Sequence, residues 1–272
     1  MNYSSIGIDA GGTLVKMATL ENSIMEKRTF PSSQMNEVVN WLSEYAPTAE
    51  ICVTGGKHQL LAKQIMKPVT SIVEFDATCK GVQLLARQNN LLLEKQFILA
   101  NIGTGTSIHH IVDGKQERIG GTGVGGGTLM GLAYLLSGIA DYNQLVQTAA
   151  KGKRDGVDIT VKDIFEGITP PIPENLTASN FGNVHRFMDR KPSEPDILAS
   201  IIGLIAETVV TICCQAAHRF DTNSIVYIGS TFRSNLLLKE MIEEYTIMKE
   251  KKPIFLEDGE FSGAVGALLT LP

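Results

Sequence analysis

Three glycine-rich turns carry residue types suited to a phosphate chain: Gly11-Gly12-Thr13, Gly103-Thr104-Gly105-Thr106 and Gly125-Gly126-Gly127-Thr128. Phosphates need several backbone N–H donors at fixed spacing with no side chain in the way, and turns of this composition present them. One such turn alone is as well explained by a hairpin's need for glycine. Three of them, two in equivalent surroundings, point to a nucleotide. Asp9 ends the apolar stretch before the first turn, where a carboxylate suits a magnesium ion or its waters, although capping the hairpin is an alternative role. Lys16, a few residues on, offers a point charge to a phosphate or to solvent. Glu74 follows the apolar run Val69 to Val73 and is a candidate general base for a hydroxyl proton, with a simple surface acid as the alternative. Arg118, just ahead of the longest glycine run, has a guanidinium fork that matches the two oxygens of a carboxylate.

Two other nucleotide signatures are tested directly. G-x-x-x-x-G-K-[ST] is absent, which excludes a P-loop. Gly121-x-Gly123-x-x-Gly126 has the dinucleotide spelling, but no apolar strand is expected immediately before it, and no acidic residue stands about 20 positions on in a following strand. That match is read as accidental.

The elements that must position these residues follow from periodicity. Ile6 to Asp9 and Leu14 to Leu20 read as a hairpin tipped by Gly11-Gly12. Helices are expected over Asn36 to Tyr45, Gln59 to Met66 and Ala77 to Gln88, with strands at Ile51 to Thr54 and Val69 to Val73, the latter ending in Glu74. Near residue 97 the pattern restarts: Phe97 to Ile102 and Ser107 to Val112 form a second hairpin, so that Asp9-x-Gly11-x-Thr13 is echoed by Asn101-x-Gly103-x-Gly105-Thr106. A duplicated α/β unit gives this pattern. An apolar helix is expected over Leu129 to Leu136. The Pro-rich, charged stretch Lys151 to Pro195 is expected to hold short helices and binding loops. A buried helix over Ile197 to Ala217, a strand at Ile225 to Ile228, and helices near Asn235 to Met248 and Ser262 to Leu269 complete the chain.

Composition narrows the classes. A chain of 272 residues with 43% hydrophobic and 19% charged residues supports two packed domains. A net charge of −5 supplies no field for a polyanion, so nucleic acid is not an expected partner. Ser200, Glu207, Thr208, Thr211 and Gln215 interrupt the longest apolar stretch, so no membrane span is expected, and without a readable secretory signal the expected location is cytoplasmic. The four cysteines, Cys52, Cys79, Cys213 and Cys214, have neither metal nor disulfide spacing. His109 and His110 are adjacent and on a strand point to opposite faces, which argues against a shared metal.

The hairpins at Asp9 to Lys16 and Asn101 to Ser107, with Val226 to Ser230, resemble the phosphate and adenosine motifs of the actin, sugar-kinase and heat-shock-chaperone ATPase superfamily. Within it, Gly7 to Lys16, Val73 to Ala77, Asn101 to Ser107, Arg118 to Thr128, Pro170 to Pro173 and Ala178 to Asn183 resemble type II pantothenate kinase, in order and nearly end to end. The resemblance implies an α/β fold of duplicated ribonuclease-H-like (actin-like ATPase) domains around a central ATP cleft. One domain spans 1–94; the other spans 95–272, with a dimerisation and substrate-covering insert and a last helix packing back toward the first. It implies contacts to ATP from Asp9, Ala10, Gly11, Gly12, Thr13, Leu14, Val15, Lys16, Thr104, Gly126, Gly127, Thr128, Leu129, Met130, Tyr142 and Ser230, with Mg2+ near Asp9. Glu74 is implied as general base, with Thr104 and Arg118 also binding pantothenate. Ala178 and Asn180 are implied to close over the substrate of the neighbouring subunit in a homodimer. A sugar kinase of the same superfamily, or an ATP-driven activator or chaperone-like module, is the alternative; the first commonly carries a zinc loop or a sugar motif, the second a partner domain or cluster cysteines, and none of these is found.

Overall fold

The computed structural model describes residues 3–21, 24–185 and 192–272. The first half consists of β1 (Ser5–Ala10), β2 (Leu14–Glu21), β3 (Ile24–Pro31), α1 (Met35–Tyr45), β4 (Glu50–Thr54), α2 (His58–Ala62), β5 (Thr70–Ser71) and α3 (Glu74–Gln88). The second runs β6 (Gln96–Ile102), β7 (Thr106–Val112), β8 (Lys115–Thr122), α4 (Gly126–Ser137), α5 (Tyr142–Ala149), β9 (Ile159–Thr160), α6 (Val161–Phe165) and β10 (Thr177–Ser179). It continues through α7 (Glu194–Arg219), β11 (Ser224–Ile228), α8 (Leu236–Met248), β12 (Lys252–Phe255) and α9 (Ser262–Leu268).

Two five-stranded sheets have the same topology, β3-β2-β1-β4-β5 and β8-β7-β6-β11-β12. In each, an antiparallel meander is extended on one side by two parallel strands. The repeat expected from the two hairpins is therefore a repeat of whole sheets. Central strand β6 is buried on both faces, as strands covered on two sides are. Ile98, Ala100 and Ile102 join the helices α4, α5, α7 and α8, whereas Phe97 and Leu99 meet α3 and α9. A third cluster covers the outer face of the first sheet with α1.

Helix α7 is capped by the Ser193 hydroxyl, which accepts from the Asp196 amide. Its apolar length is core: Leu198, Ile201, Ile202, Ile205, Val209 and Cys213 are fully buried. All four cysteines are buried and reduced.

Helices α3 and α9 lie between the two sheets and touch each other more extensively than any other pair of elements. Their contact is backbone to backbone. A Cβ at Gly81 of α3 would collide with the Ser262 carbonyl, one at Gly266 of α9 with the Ala77 carbonyl, and one at Gly7 of β1 with the Ala264 carbonyl. Glycine at these three positions permits that close approach.

Several boundaries differ from the sequence expectation. β3, β8 and β12 were not foreseen; β3 is half-exposed along its length and β8 mostly so, which erases the two-residue alternation on which a strand reading depends. α2 ends at Ala62 rather than Met66, and β5 is reduced to Thr70–Ser71. Glu74 is consequently not the end of a strand: it is the first residue of α3. A strand, β8, does lead into the Gly121-to-Gly126 run, contrary to expectation, but it is the outer strand of an antiparallel meander and not part of a parallel βαβ unit.

Two substitutions test this packing. Gly266→Val forces α9 off α3 and should cost at least the roughly 1–3 kcal/mol of an overpacked core, read as a lower urea midpoint. Gly131→Ala, in α4 with open space around the position, should raise stability by up to about 1 kcal/mol.

Candidate active site

The turns that follow β1 and β6, one from each sheet, face each other. The hydroxyls of Thr13 and Thr104 lie 3.0 Å apart across the gap, and a Cβ at Gly12 would stand 3.2 Å from the Thr104 hydroxyl. Two connected cavities open on this contact. One, of about 410 Å³, is lined by Asp9, Lys16, Glu74, Phe75, Asn101 and Arg118 together with the turn residues. The other, of about 620 Å³, is lined by Gly126, Gly127, Met130, Tyr142, Ser230 and Arg233, among others. Thr13, Leu14, Gly103, Thr104 and Ser230 border both.

Among the described residues, the backbone amides of Gly12, Thr13 and Thr104 donate to no protein acceptor. Unpaired donors concentrated at facing turns form an anion site. The third glycine run behaves differently from its expected role. The Gly126 amide donates to the Gly103 carbonyl and the Gly127 amide to the Thr104 carbonyl, each at 2.8 Å. The start of α4 therefore buttresses the second turn, and its first two amides are already spent. Thr128 is turned onto the Gly123 carbonyl at 2.9 Å.

The register of the first hairpin pairs Asp9 with Lys16, and their charged groups stand 3.7 Å apart. Burial pushes the Asp9 carboxyl above its usual range, and the Lys16 ammonium opposes that shift. Gly55, at φ +89°, leaves space for Asp9: a Cβ there would lie 2.4 Å from its carboxylate, hence glycine. Glu74 is also raised, first by burial and then by the Asp9 charge, with Lys16 and His58 acting in the other direction. The Arg118 guanidinium sits over the Phe75 ring, 5.8 Å from its centre. Asp76, next to these residues in sequence, accepts from Gln116 at 3.0 Å and does not line the cleft. Tyr142 donates to the Thr231 carbonyl and accepts from Asn235, which fixes the floor of the larger cavity.

The structure thus brings together Asp9, Gly11, Gly12, Thr13, Leu14, Lys16, Glu74, Thr104 and Arg118 in one cavity, and Gly126, Gly127, Met130, Tyr142 and Ser230 in the other. Ala10, Val15 and Leu129 are core residues with fully buried side chains, so only their backbones could meet a ligand. Ala178 and Asn180 line neither cavity of this protomer. Ala178 is exposed, and the Asn180 amide donates to Glu207 at 2.9 Å. Phe75, Asn143, Thr231 and Arg233 were missed; Phe75, Asn143 and Thr231 directly follow residues singled out, whereas Arg233 carries no local signal.

As to a metal, the described residues contain no cluster of three or more His, Cys, Asp or Glu side chains. A single buried carboxylate at the mouth of an anion site matches the way Mg2+ is held, by one or two carboxylates with phosphate oxygens and water. Asp9 fits that requirement.

The chain is similar to known proteins along nearly its whole length. The family model described as Fumble matches residues 22–270. Type II pantothenate kinase from Staphylococcus epidermidis is 44% identical over 265 residues, covering 97% of this chain and 98% of that protein. The enzyme of the same name from Staphylococcus aureus strain USA300 is 41% identical over 263 residues, with the same coverage of both chains, 97% and 98%. Among solved structures, the activator of 2-hydroxyisocaproyl-CoA dehydratase from Clostridium difficile with bound ADPNP is similar at a TM-score of 0.63 and 15% identity, covering 98% of this chain and 93% of that one. A ROK family glucokinase from Streptomyces griseus in complex with glucose and AMPPNP is similar at 0.59 and 13% identity, covering 98% of both. At such identities the two structures establish a shared fold and leave the activity open. Sequence identity sustained over nearly the whole length settles the narrower question: the chain belongs to the Fumble family, the type II pantothenate kinases.

Proposed function

We propose that the protein transfers the γ-phosphate of ATP to the primary hydroxyl of pantothenate, giving 4'-phosphopantothenate and ADP, the first step of coenzyme A biosynthesis. The observation that carries this reading is the pairing, in one cleft, of unpaired turn amides from both sheets with the Glu74 carboxylate. The larger cavity would take the nucleoside, with Ser230 and Tyr142 along its wall, and the facing turns would take the phosphates. Pantothenate would lie in the smaller cavity, with Arg118 pairing with its carboxylate.

Glu74 is the proposed base. Its burial removes water from the carboxylate and raises its affinity for a proton, and it must be ionised to accept the hydroxyl proton. The oxygen then attacks the γ-phosphorus while the amides of Gly12, Thr13 and Thr104 hold the phosphate oxygens in line. A magnesium ion would be held at Asp9, where it would neutralise phosphate charge. Lys16 keeps the Asp9 carboxylate compensated.

Residues 1–94 and 95–272 are proposed as the two domains on either side of the cleft, with α9 packed on the first sheet. A homodimer is proposed in which Ala178 and its neighbours cover the partner's pantothenate. The exposed apolar run at the end of α4, with Tyr134 at 61%, Leu135 at 77% and Leu136 at 46% exposure, supports a face that a second copy would cover. A cytoplasmic location suits an ATP-dependent metabolic enzyme.

Four measurements test the reading. Glu74→Gln keeps the shape but cannot take a proton, so kcat should fall by about 10²–10⁴-fold with ATP affinity nearly unchanged. In the unsubstituted enzyme kcat should fall as pH drops through the raised Glu74 pKa, with the acid limb above the ordinary carboxylate range; wild-type kcat in Glu74→Gln would move the base elsewhere. Gly12→Val places a branched side chain against Thr104 and should abolish ATP binding measured by calorimetry in a folded protein. Light scattering should give twice the monomer mass at assay concentration; an active monomer would refute the shared site.

A further inference from the structure

Arg154 lies outside the cleft and no step above uses it, yet among the described residues it is the most heavily bonded side chain. Its Nε donates to Asp158 at 2.7 Å, one terminal nitrogen to the Tyr245 hydroxyl at 2.6 Å, and the other to Thr177 at 2.9 Å, Asn180 at 3.3 Å and Glu207 at 2.7 Å. Glu207 accepts further bonds from the hydroxyls of Thr177 and Tyr245 at 2.6 and 3.0 Å and from the Asn180 amide at 2.9 Å. The second Asp158 oxygen accepts the Phe181 amide at 2.8 Å. The partners come from the loop before β9, from β10 and the turn after it, from α7 and from α8. Gly203, one turn before Glu207 on α7, makes space for the guanidinium, since a Cβ there would overlap it. Burial alone would raise the Glu207 carboxyl, but the bonds from Thr177, Arg154 and Asn180 bring it below its usual range.

The network acts on one short segment. The side chains of Thr177 and Asn180 are turned inward as anchors, and Ala178 and Ser179 between them are exposed. We infer that the Arg154–Glu207 pair is a latch that fixes the outward face of residues 177–181, and that Arg154, Glu207 and Asn180 are positioning residues for pantothenate binding rather than contacts to it. The Asn180 amide is held by Glu207 and Arg154, which leaves exposed Ala178 and the adjoining backbone as the covering surface. This rests on the reading above that the segment covers a substrate.

The experiment uses full-length protein with Arg154→Lys, Arg154→Met and Tyr245→Phe, the last removing a single hydroxyl as a mild variant, and Ala178→Trp as a probe of the outward face. Pantothenate KM should rise on the order of tenfold in Arg154→Met and less in Arg154→Lys and Tyr245→Phe, with ATP KM unchanged, since small misplacements of a binding element have effects of this size. Hydrogen exchange of the amides of 177–181 should accelerate in the same order. A residue serving stability alone would shift the melting temperature and leave this split between the two substrates unmoved. If Ala178→Trp raises pantothenate KM while all three network variants leave it unchanged, the latch is overturned and the covering role stands. If Ala178→Trp is silent on both substrates, the covering role falls, and the positioning role falls with it.

Discussion

The contact between α3 and α9 sets the geometry on which everything else depends. Each sheet ends its first strand in a glycine turn, and these turns work only when held opposite one another. The separation of the two sheets is fixed by the pair of helices between them. Gly81, Gly266 and Gly7 let three backbones touch, and protein interiors of this density have few alternative arrangements. Because α9 is the last helix of the chain and α3 comes from the first half, the contact also ties the two ends of the sequence together. Glu74 begins α3, so the same helix that spaces the sheets delivers the carboxylate to the cleft.

Within the cleft, groups of both signs lie close together. Unpaired amides and Lys16 supply positive potential at the turns, while Asp9 and Glu74 place two carboxylates in the same cavity. The Asp9 charge raises Glu74 and Lys16 lowers it, which leaves Glu74 more basic than an exposed carboxylate. A cation bound beside phosphate would compensate Asp9, and burial, the first cause of the Glu74 shift, would persist. Basicity in this site is therefore mainly a consequence of exclusion of water.

The fold alone does not select an activity. The similar structures include a dehydratase activator and a glucokinase, so the paired sheets and facing turns serve ATP chemistry of several kinds. In this chain the wall of the smaller cavity carries Glu74, Phe75 and Arg118, and the Arg154 network fastens Thr177 and Asn180 to the core.

The sequence alone determined the nucleotide-binding character of the chain. Glycine turns after short apolar strands are local features, and Asp9-x-Gly11-x-Thr13 with its echo at Asn101 marks two hairpins wherever they end up in space. Burial of the helix around Ile201 was legible as well, because an apolar run of that length has few other uses. Local pattern fails where a residue's surroundings come from distant segments. Glu74 read as a strand end because Val69 to Val73 is apolar, yet pairing with β4 holds only Thr70 and Ser71 in the sheet, and α3 begins at Glu74 itself. Gly126 and Gly127 read as phosphate donors, but the turn at Gly103 and Thr104 takes their amides. Arg154 and Glu207, one 26 residues before Asn180 and the other 27 after, hold its side chain, and no local pattern shows that pairing. Hydrogen-bond partners are assigned by three-dimensional proximity, and a one-dimensional pattern shows which groups can bond without showing which already have.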